Sequence, residues 1–268
     1  MKSLFVLSLP RSLSTIVYEI SLQALGLRQP AWTSAGEILN VDRAPLSVVR
    51  LGAGRAKFTT RELEPVRFDR LTSLLDRTAL AEGFAYKDVV HPFVTSSWPG
   101  LSELNVLKIR RDPAEVAFAM LERGWSYPRR ASMLCTDEEA SLVEGLLRAE
   151  HALSSVPGEV LDYGEAIDGE DALRRLLQRL YPAARLERLG YIDREFVLGR
   201  RRREARRRAS PRLAALRETV LAVRERLEAT GFAVEPPPAA GELSRSSRAQ
   251  PVRPGRAGLI AVAEQSPE

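Results

Sequence analysis

Strand-like and helix-like segments alternate along most of this chain, and that alternation limits the folds open to it. Short apolar runs typical of buried strands occur at 4–9, 84–90, 105–111 and 159–163. Apolar residues recur with helical spacing at 14–25, 61–80, 113–121, 137–153, 169–180 and 211–230. Because such alternation is typical of parallel sheets covered by helices on both faces, we expect a three-layer α/β/α fold with a central parallel sheet.

The end of the chain differs from the rest in composition. Residues 235–268 are rich in Pro, Ser and Arg and show no periodicity, which predicts a disordered tail after a domain at 1–234. No stretch approaches the run of about 18 apolar residues that a membrane span needs. One cysteine, Cys135, excludes an internal disulfide and fits a reducing compartment, so we expect a cytoplasmic protein.

The positive charge of the chain is concentrated in one segment. The formal net charge is +5, but residues 200–208, RRRREARRR, hold seven arginines and one glutamate and carry +6 by themselves. The rest of the chain therefore has a formal net charge of −1. A charge placed in this way indicates a localised anionic ligand or partner more than a generally basic surface.

A polar loop follows the first predicted strand. In a parallel sheet, ligands bind at the carboxyl ends of the strands, and residues 9–15, LPRSLST, stand at such an end. The hydroxyls of Ser12, Ser14 and Thr15 and the backbone N–H groups can surround an anion, and Arg11 supplies a fixed charge with forked donors. A helix N-cap explains the same hydroxyls equally well. The loop is not a Walker loop, because GxxxxGK[ST] is absent.

A second candidate position lies at the end of a later strand. In VLKIRRDPAEVAFAML, residues 106–121, Asp112 and Pro113 are favoured residues for the start of a helix. The informative residue is therefore Arg111, just before them. A surface ion pair is its alternative interpretation.

Taken together, these two segments resemble the PAPS-dependent sulfotransferases, where PAPS is 3'-phosphoadenosine-5'-phosphosulfate. The family's PKSGTT- or PRSGTT-like loop corresponds to residues 10–15, and its strand-end RDP corresponds to residues 111–113. Lys87 in YKDVVHP matches a lysine that the family carries on a strand. Tyr163 matches the tyrosine of a later YEDL-like stretch, so the resemblance covers residues 4–182.

The resemblance implies a P-loop NTPase-like sulfotransferase fold and an enzyme that moves a sulfuryl group from PAPS to a hydroxyl or amine. The acceptor would be a small molecule or a carbohydrate, and no metal is required. Arg111 would bind the 3'-phosphate, Tyr163 the adenine, and Lys87 together with Arg11 would neutralise charge on the transferring group. The 5'-phosphosulfate would be bound by Arg11, Ser12, Leu13, Ser14 and Thr15.

The chain departs from the family pattern at three places. Leu13 replaces the glycine of the loop, and Arg11 replaces its usual lysine. Ala119 stands where the family usually has a serine that also binds the 3'-phosphate. The 3'-phosphate would then need donors besides Arg111. The arginine run that begins at Arg200 is the candidate source of these donors, because the cytosolic branch of the family uses a late RKG segment for this purpose.

Two residues are candidates for the general base that takes the proton of the acceptor. The family's cytosolic branch has a histidine at the place of Val89 here, and His91 lies two residues further on. Glu37 in SAGEILN resembles the GE segment of carbohydrate-type bacterial sulfotransferases, where a glutamate is the proposed base. Each residue also has an alternative interpretation without a catalytic role. His91 would be a packed or surface histidine at the end of a strand, and Glu37 would be a carboxylate in the first turn of a helix, where the helix dipole favours it. We favour Glu37 slightly.

Two other functions remain as alternatives. A P-loop-type kinase would need a loop lysine and acidic magnesium ligands, and the loop has no lysine. A nucleic-acid-binding protein would use residues 200–208, but it leaves the pairing of the loop with Arg111 unexplained, so we regard nucleic acid as an unlikely partner. With one Cys and two His in the chain, a dedicated zinc site is not expected. The sequence carries no indication of an oligomeric state.

Overall fold

The computed structural model describes most of the predicted domain. The described residues are 1–31, 33, 36–37, 50–51, 54–55, 76, 81–89, 96, 98–125, 134–186, 189 and 194–232. They belong to one compact unit, Met1–Pro237. The predicted tail at 235–268, the predicted helix at 61–80 apart from Asp76, and the candidate base His91 lie outside the described residues.

Four parallel strands form the central sheet as far as the structure describes the chain. These strands are β1 (Leu4–Ser8), β4 (Ala85–Asp88), β5 (Asn105–Arg110) and β6 (Glu159–Asp162), in the spatial order β4-β1-β5-β6. All three strand pairs are parallel. Two short strands, β2 (Arg50–Leu51) and β3 (Gly54–Arg55), pair antiparallel apart from this sheet.

Seven helices have described bounds. They are α1 (Ser14–Leu25), α2 (Pro113–Leu121), α3 (Glu138–Ser155), α4 (Tyr163–Asp168), α5 (Asp171–Leu180), α6 (Arg194–Arg208) and α7 (Pro211–Thr230). A short 3-10 helix, Pro99–Glu103, precedes β5. Among the described parts of the chain, every helix is too short or too polar to cross a membrane.

Alternating side chains of β1 enter two separate hydrophobic layers. Phe5 and Leu7 pack with residues of α2, α3 and α7 in one layer. Leu4 and Val6 pack with residues of α1, α4 and α5 in the other layer. Because both faces of the strand are covered, it consists of consecutive apolar residues. The predicted α/β class, with a parallel sheet between layers of helices, is confirmed.

The helix boundaries agree with the local sequence signals in most places. The side chain of Asp112 caps α2 by accepting a 2.8 Å hydrogen bond from the N–H of Ala114, and Pro113 is the first helical residue. Gly26 ends α1 in the left-handed conformation, at φ 62°. One boundary differs: the helix predicted at 169–180 is preceded by the separate helix α4. A helix therefore begins at Tyr163, where a strand residue was predicted.

Candidate functional site

The candidate site lies at the carboxyl end of β1, between the ends of β4 and β5. The helix that follows β1 packs on one face of the sheet, whereas the helix that follows β5 packs on the other. Because the connections after β1 and β5 run to opposite faces of the sheet, a crevice lies between the ends of these two strands. Ligands of open α/β sheets bind in such crevices. The chain topology therefore brings the loop at 9–15 and Arg111 to one place, as the sequence predicted.

Within the part of the chain that the structure describes, no side chain caps the start of α1. Its N-cap residue is Leu13, at φ 66° and ψ 10°. Ser12 Oγ instead donates to the carbonyl oxygen of Pro10 at 3.3 Å. The helix-cap interpretation of the loop hydroxyls is therefore not supported, and the N–H groups of the first turn point toward the crevice without a cap.

Two residues of the loop adopt a backbone conformation that side chains disfavour. Arg11 and Leu13 have φ values of 63° and 66°. The left-handed region costs a residue with a Cβ about 1–2 kcal/mol. Successive N–H groups next to such residues form concave anion-binding surfaces, and strain of this kind occurs often at functional sites. Leu13 thus adopts the backbone that the family's glycine would allow, while its side chain is buried beside α1.

Replacing Leu13 separates strain from packing. Leu13→Ala and Leu13→Gly lose the same buried side chain, and Leu13→Ala should be less stable than the wild type by about 2 kcal/mol. Only glycine relieves the left-handed strain, so we expect Leu13→Gly to be more stable than Leu13→Ala by about 1 kcal/mol. Chemical denaturation of both variants measures this difference.

Ile20, a buried residue inside α1, provides the control pair. There alanine should be more stable than glycine by about 1 kcal/mol, the usual order in a helix. The same order at Leu13 would contradict the strained conformation of the loop.

Lys87 and Glu37 meet beside the loop. The Lys87 side chain is buried, and its Nζ donates a 2.7 Å hydrogen bond to Thr15 Oγ1 and lies 3.4 Å from Glu37 Oε1. The backbone fixes this pair, because Lys87 N donates to the carbonyl oxygen of Gly36 at 2.8 Å. A Cβ on Gly36, at φ 74°, would lie 2.3 Å from the ring of Tyr18, so glycine allows this close approach.

The loop and Glu37 line one cavity of about 230 Å³. Its walls come from the loop, from the end of β4, from α6 and from the segment after α2. The lining residues are Pro10, Arg11, Ser12, Leu13, Ser14, Thr15, Ile16, Glu37, Val89, Trp125 and Arg200. Seven of the predicted site residues therefore share one cavity, with Lys87 directly behind it.

Arg11 and Arg200 both line this cavity, and the contacts of Arg11 are the better described. The guanidinium of Arg11 lies over the ring of Trp125, 5.2 Å from the centroid. Burial lowers the pKa of Arg11, and the positive charges of nearby arginines, Arg123 and Arg200 first among them, lower it further. Its Nε is buried and has no hydrogen-bond acceptor among the described residues. A cationic cluster with an unsatisfied buried donor is stabilised by a bound anion.

Arg111 is buried in a network that sequence reasoning did not foresee. Its side chain is 1% exposed, and its Nη2 donates a 2.9 Å hydrogen bond to Glu204 Oε2. Its Nη1 donates to the carbonyl oxygen of Arg11, which ties the end of β5 to the loop. The guanidinium lies 4.0 Å from the ring centroid of Tyr163. The interpretation of Arg111 as a surface ion pair is therefore wrong.

Glu204 is the centre of that network. Its carboxylate also accepts hydrogen bonds from Tyr163 OH and Arg207 Nη1, both at 2.9 Å. Burial raises the pKa of Tyr163; Arg111 opposes this shift and Glu204 adds to it, so the phenol stays a neutral donor. A cavity of about 290 Å³ lies next to Arg111 and Tyr163. Arg111 and Tyr163 are thus adjacent.

Sequence reasoning named Arg200 but missed Glu204 and Arg207. All three lie on α6, at spacings of four and three residues, which places them on one face of the helix. Glu204 and Arg207 are buried, whereas their neighbours Arg206 and Arg208 are exposed. The signal available in the sequence was the single acidic residue within a run of arginines.

Two aromatic side chains outside the candidate site, Trp98 and His151, have structural roles. Trp98 is buried in the core, and its Nε1 donates to Asp76 Oδ1 at 2.7 Å. His151 stacks on Phe232 with ring centroids 4.5 Å apart. That pair lines a larger cavity of about 410 Å³, and Arg111 is the one predicted site residue among the described residues that line it. No group of His, Cys, Asp or Glu within the described ranges is arranged to hold a metal ion.

Comparison with protein-family models, with curated proteins and with solved structures found no match to this chain.

Proposed function

We propose that this protein is a PAPS-dependent sulfotransferase that transfers a sulfuryl group to a hydroxyl or amine of a small-molecule or carbohydrate acceptor. The main support is the arrangement that the described residues form around Arg11: a helix start without a side-chain cap, a buried Nε without an acceptor, and a surrounding arginine cluster. Such a site is suited to a multiply charged anion such as a phosphosulfate. Residues 10–15 and 111–113 supply the resemblance to the sulfotransferase family.

A second donor set next to the first one supports a nucleotide with two anionic groups. Arg111 contacts the loop through the carbonyl oxygen of Arg11 and also lines the cavity beside Tyr163. One anionic group would bind to the loop and the other to Arg111, and the adenine would lie near Tyr163. Cytoplasmic location is part of the proposal, in keeping with the single thiol of Cys135.

The residues around the cavity provide the groups that sulfuryl transfer needs. The acceptor oxygen forms a bond to sulfur while the bond between sulfur and the bridging phosphate oxygen breaks, and that oxygen keeps the electron pair. Glu37 takes the proton of the acceptor, since its carboxylate lines the cavity. Arg11 and Lys87 stabilise the charge that develops on the transferring group and on the leaving phosphate.

Thermal unfolding with a panel of ligands tests the nucleotide site. Adenosine 3',5'-bisphosphate, the product of PAPS, should stabilise the protein by about 2.7 kcal/mol at a hundredfold excess over its dissociation constant. ATP with magnesium should give a much smaller shift at the same concentration. Stabilisation by ATP with magnesium alone would favour the kinase. Tight, steeply salt-dependent binding of RNA without any effect of the bisphosphate would favour a nucleic-acid-binding protein.

A further inference from the structure

Three hydrogen-bond donors converge on the Glu204 carboxylate. Arg111 Nη2, Arg207 Nη1 and Tyr163 OH each lie 2.9 Å from one of its oxygens. Glu204 is 2% exposed, so water has little access to these contacts. Two guanidinium groups and a phenol that surround one point form an anion-recognition site, and here its anion is part of the chain.

The donors at this point exceed what one carboxylate satisfies. Arg111 Nε and Arg207 Nε are both buried without a hydrogen-bond acceptor among the described residues. Glu115 Oε2 lies 3.5 Å from Arg111 Nε but lacks the alignment of a hydrogen bond. A phosphate group has three acceptor oxygens and close to two negative charges, so it would satisfy more of these donors than Glu204 does.

Helix α6 has attachments that do not depend on Glu204. Arg207 also pairs with Glu122, and Arg208 pairs with Glu115 at 3.1 Å. These contacts join α6 to α2 and to the residue that follows it. These ion pairs would still hold α6 in place if the Glu204 side chain left its donors.

We propose that Glu204 is a specificity-determining residue. Its carboxylate occupies the place of the nucleotide's second phosphate and is displaced only by a ligand that carries this phosphate. The inference rests on the proposed function and adds the basis of its selectivity. A nucleotide without a 3'-phosphate leaves Glu204 bound to Arg111. A 3'-phosphorylated nucleotide replaces the carboxylate and takes over the three donors and the two unsatisfied Nε groups.

Titration calorimetry of the wild type and of Glu204→Gln with two nucleotides tests this role. Glutamine has the same shape but no charge, so it competes poorly for the arginines. Adenosine 3',5'-bisphosphate should bind Glu204→Gln at least about tenfold more tightly than the wild type, since charge-assisted hydrogen bonds of this kind contribute that much. Adenosine 5'-monophosphate should bind both proteins within about twofold, because it does not reach this donor set.

Two further variants show whether a change in affinity comes from the charge of Glu204 or from a change in the folded structure. Glu204→Asp retains the charge with a shorter reach, and its affinity for the bisphosphate should lie between those of the wild type and Glu204→Gln. Glu218→Gln removes an exposed carboxylate on α7, outside this network, and should leave the ratio of the two nucleotide affinities unchanged. In inorganic sulfate, the melting temperature of Glu204→Gln should rise more than that of the wild type.

The outcomes separate this inference from the function on which it rests. If the wild type binds the bisphosphate and Glu204→Gln binds it equally or more weakly, the function stands and the role of Glu204 is refuted. An equal gain for both nucleotides also refutes it, because the effect would then be a general change in charge. If neither nucleotide binds any of the proteins, the proposed function itself is wrong.

Discussion

Arg11→Ala is expected to weaken the binding of adenosine 3',5'-bisphosphate about a hundredfold while leaving the ligand-free protein as stable as the wild type or more stable. The loss in affinity follows from the removal of charge-assisted hydrogen bonds to the anion, which contribute about 1.5–3 kcal/mol each. Stability does not fall, because the substitution removes a half-buried cation whose pKa is lowered first by burial and then by the charges of neighbouring arginines. Calorimetric titration and thermal unfolding measure the two effects separately.

Two matched variants sharpen this test. Arg11→Lys keeps the charge but not the forked donors, and we expect it to recover only part of the affinity. Arg179→Ala removes an exposed arginine that pairs with Glu159 at 2.7 Å, far along the chain from the loop, and it should leave nucleotide affinity unchanged. Binding of the bisphosphate to Arg11→Ala with the wild-type affinity would show that the loop is not the anion site.

Glu37→Gln is expected to reduce sulfate transfer from PAPS by about 10²- to 10⁴-fold, the usual contribution of a general base. The amide keeps the size of the side chain but cannot take the proton of the acceptor. Affinity for adenosine 3',5'-bisphosphate should change by less than about threefold, because Lys87 retains its hydrogen bond to Thr15. Single-turnover transfer of labelled sulfate, together with nucleotide titration, distinguishes a lost base from a lost binding site.

The control and the alternative base complete this test. Glu19→Gln changes an exposed glutamate on α1, outside the cavity, and should leave the transfer rate unchanged. If Glu37→Gln transfers sulfate at the wild-type rate while His91→Ala does not, then His91 is the base. In that case the sulfotransferase proposal stands and the assignment of Glu37 is wrong.

The position of the loop and of Arg111 could be predicted from the sequence because local signals determine it. The apolar run at Leu4–Ser8 is a strand covered on both faces, and Asp112 followed by Pro113 begins a helix in almost any context. Alternation of strands and helices then places both segments at the same edge of a parallel sheet. These steps use only neighbouring residues and general rules of chain topology.

The internal electrostatics of the site could not be predicted, because they depend on how distant segments pack. Glu204 lies 93 positions from Arg111 in the sequence, and only the docking of α6 brings them together. The pairing of Glu37 with Lys87 likewise depends on the backbone at Gly36. Leu13 departs from the glycine of the resembling family, but the sequence does not reveal that this leucine adopts a left-handed backbone.

The most direct test of the proposed function is transfer of labelled sulfate from PAPS by the wild-type protein to a panel of phenols, alcohols, sugars and amines. We expect at least one acceptor to become labelled, with adenosine 3',5'-bisphosphate released in equal amount. The same acceptor should remain almost unlabelled with Arg11→Ala. Transfer that persists at the wild-type rate in Arg11→Ala, or no labelled acceptor across the panel from folded wild-type protein, would contradict the assignment of this site to sulfuryl transfer.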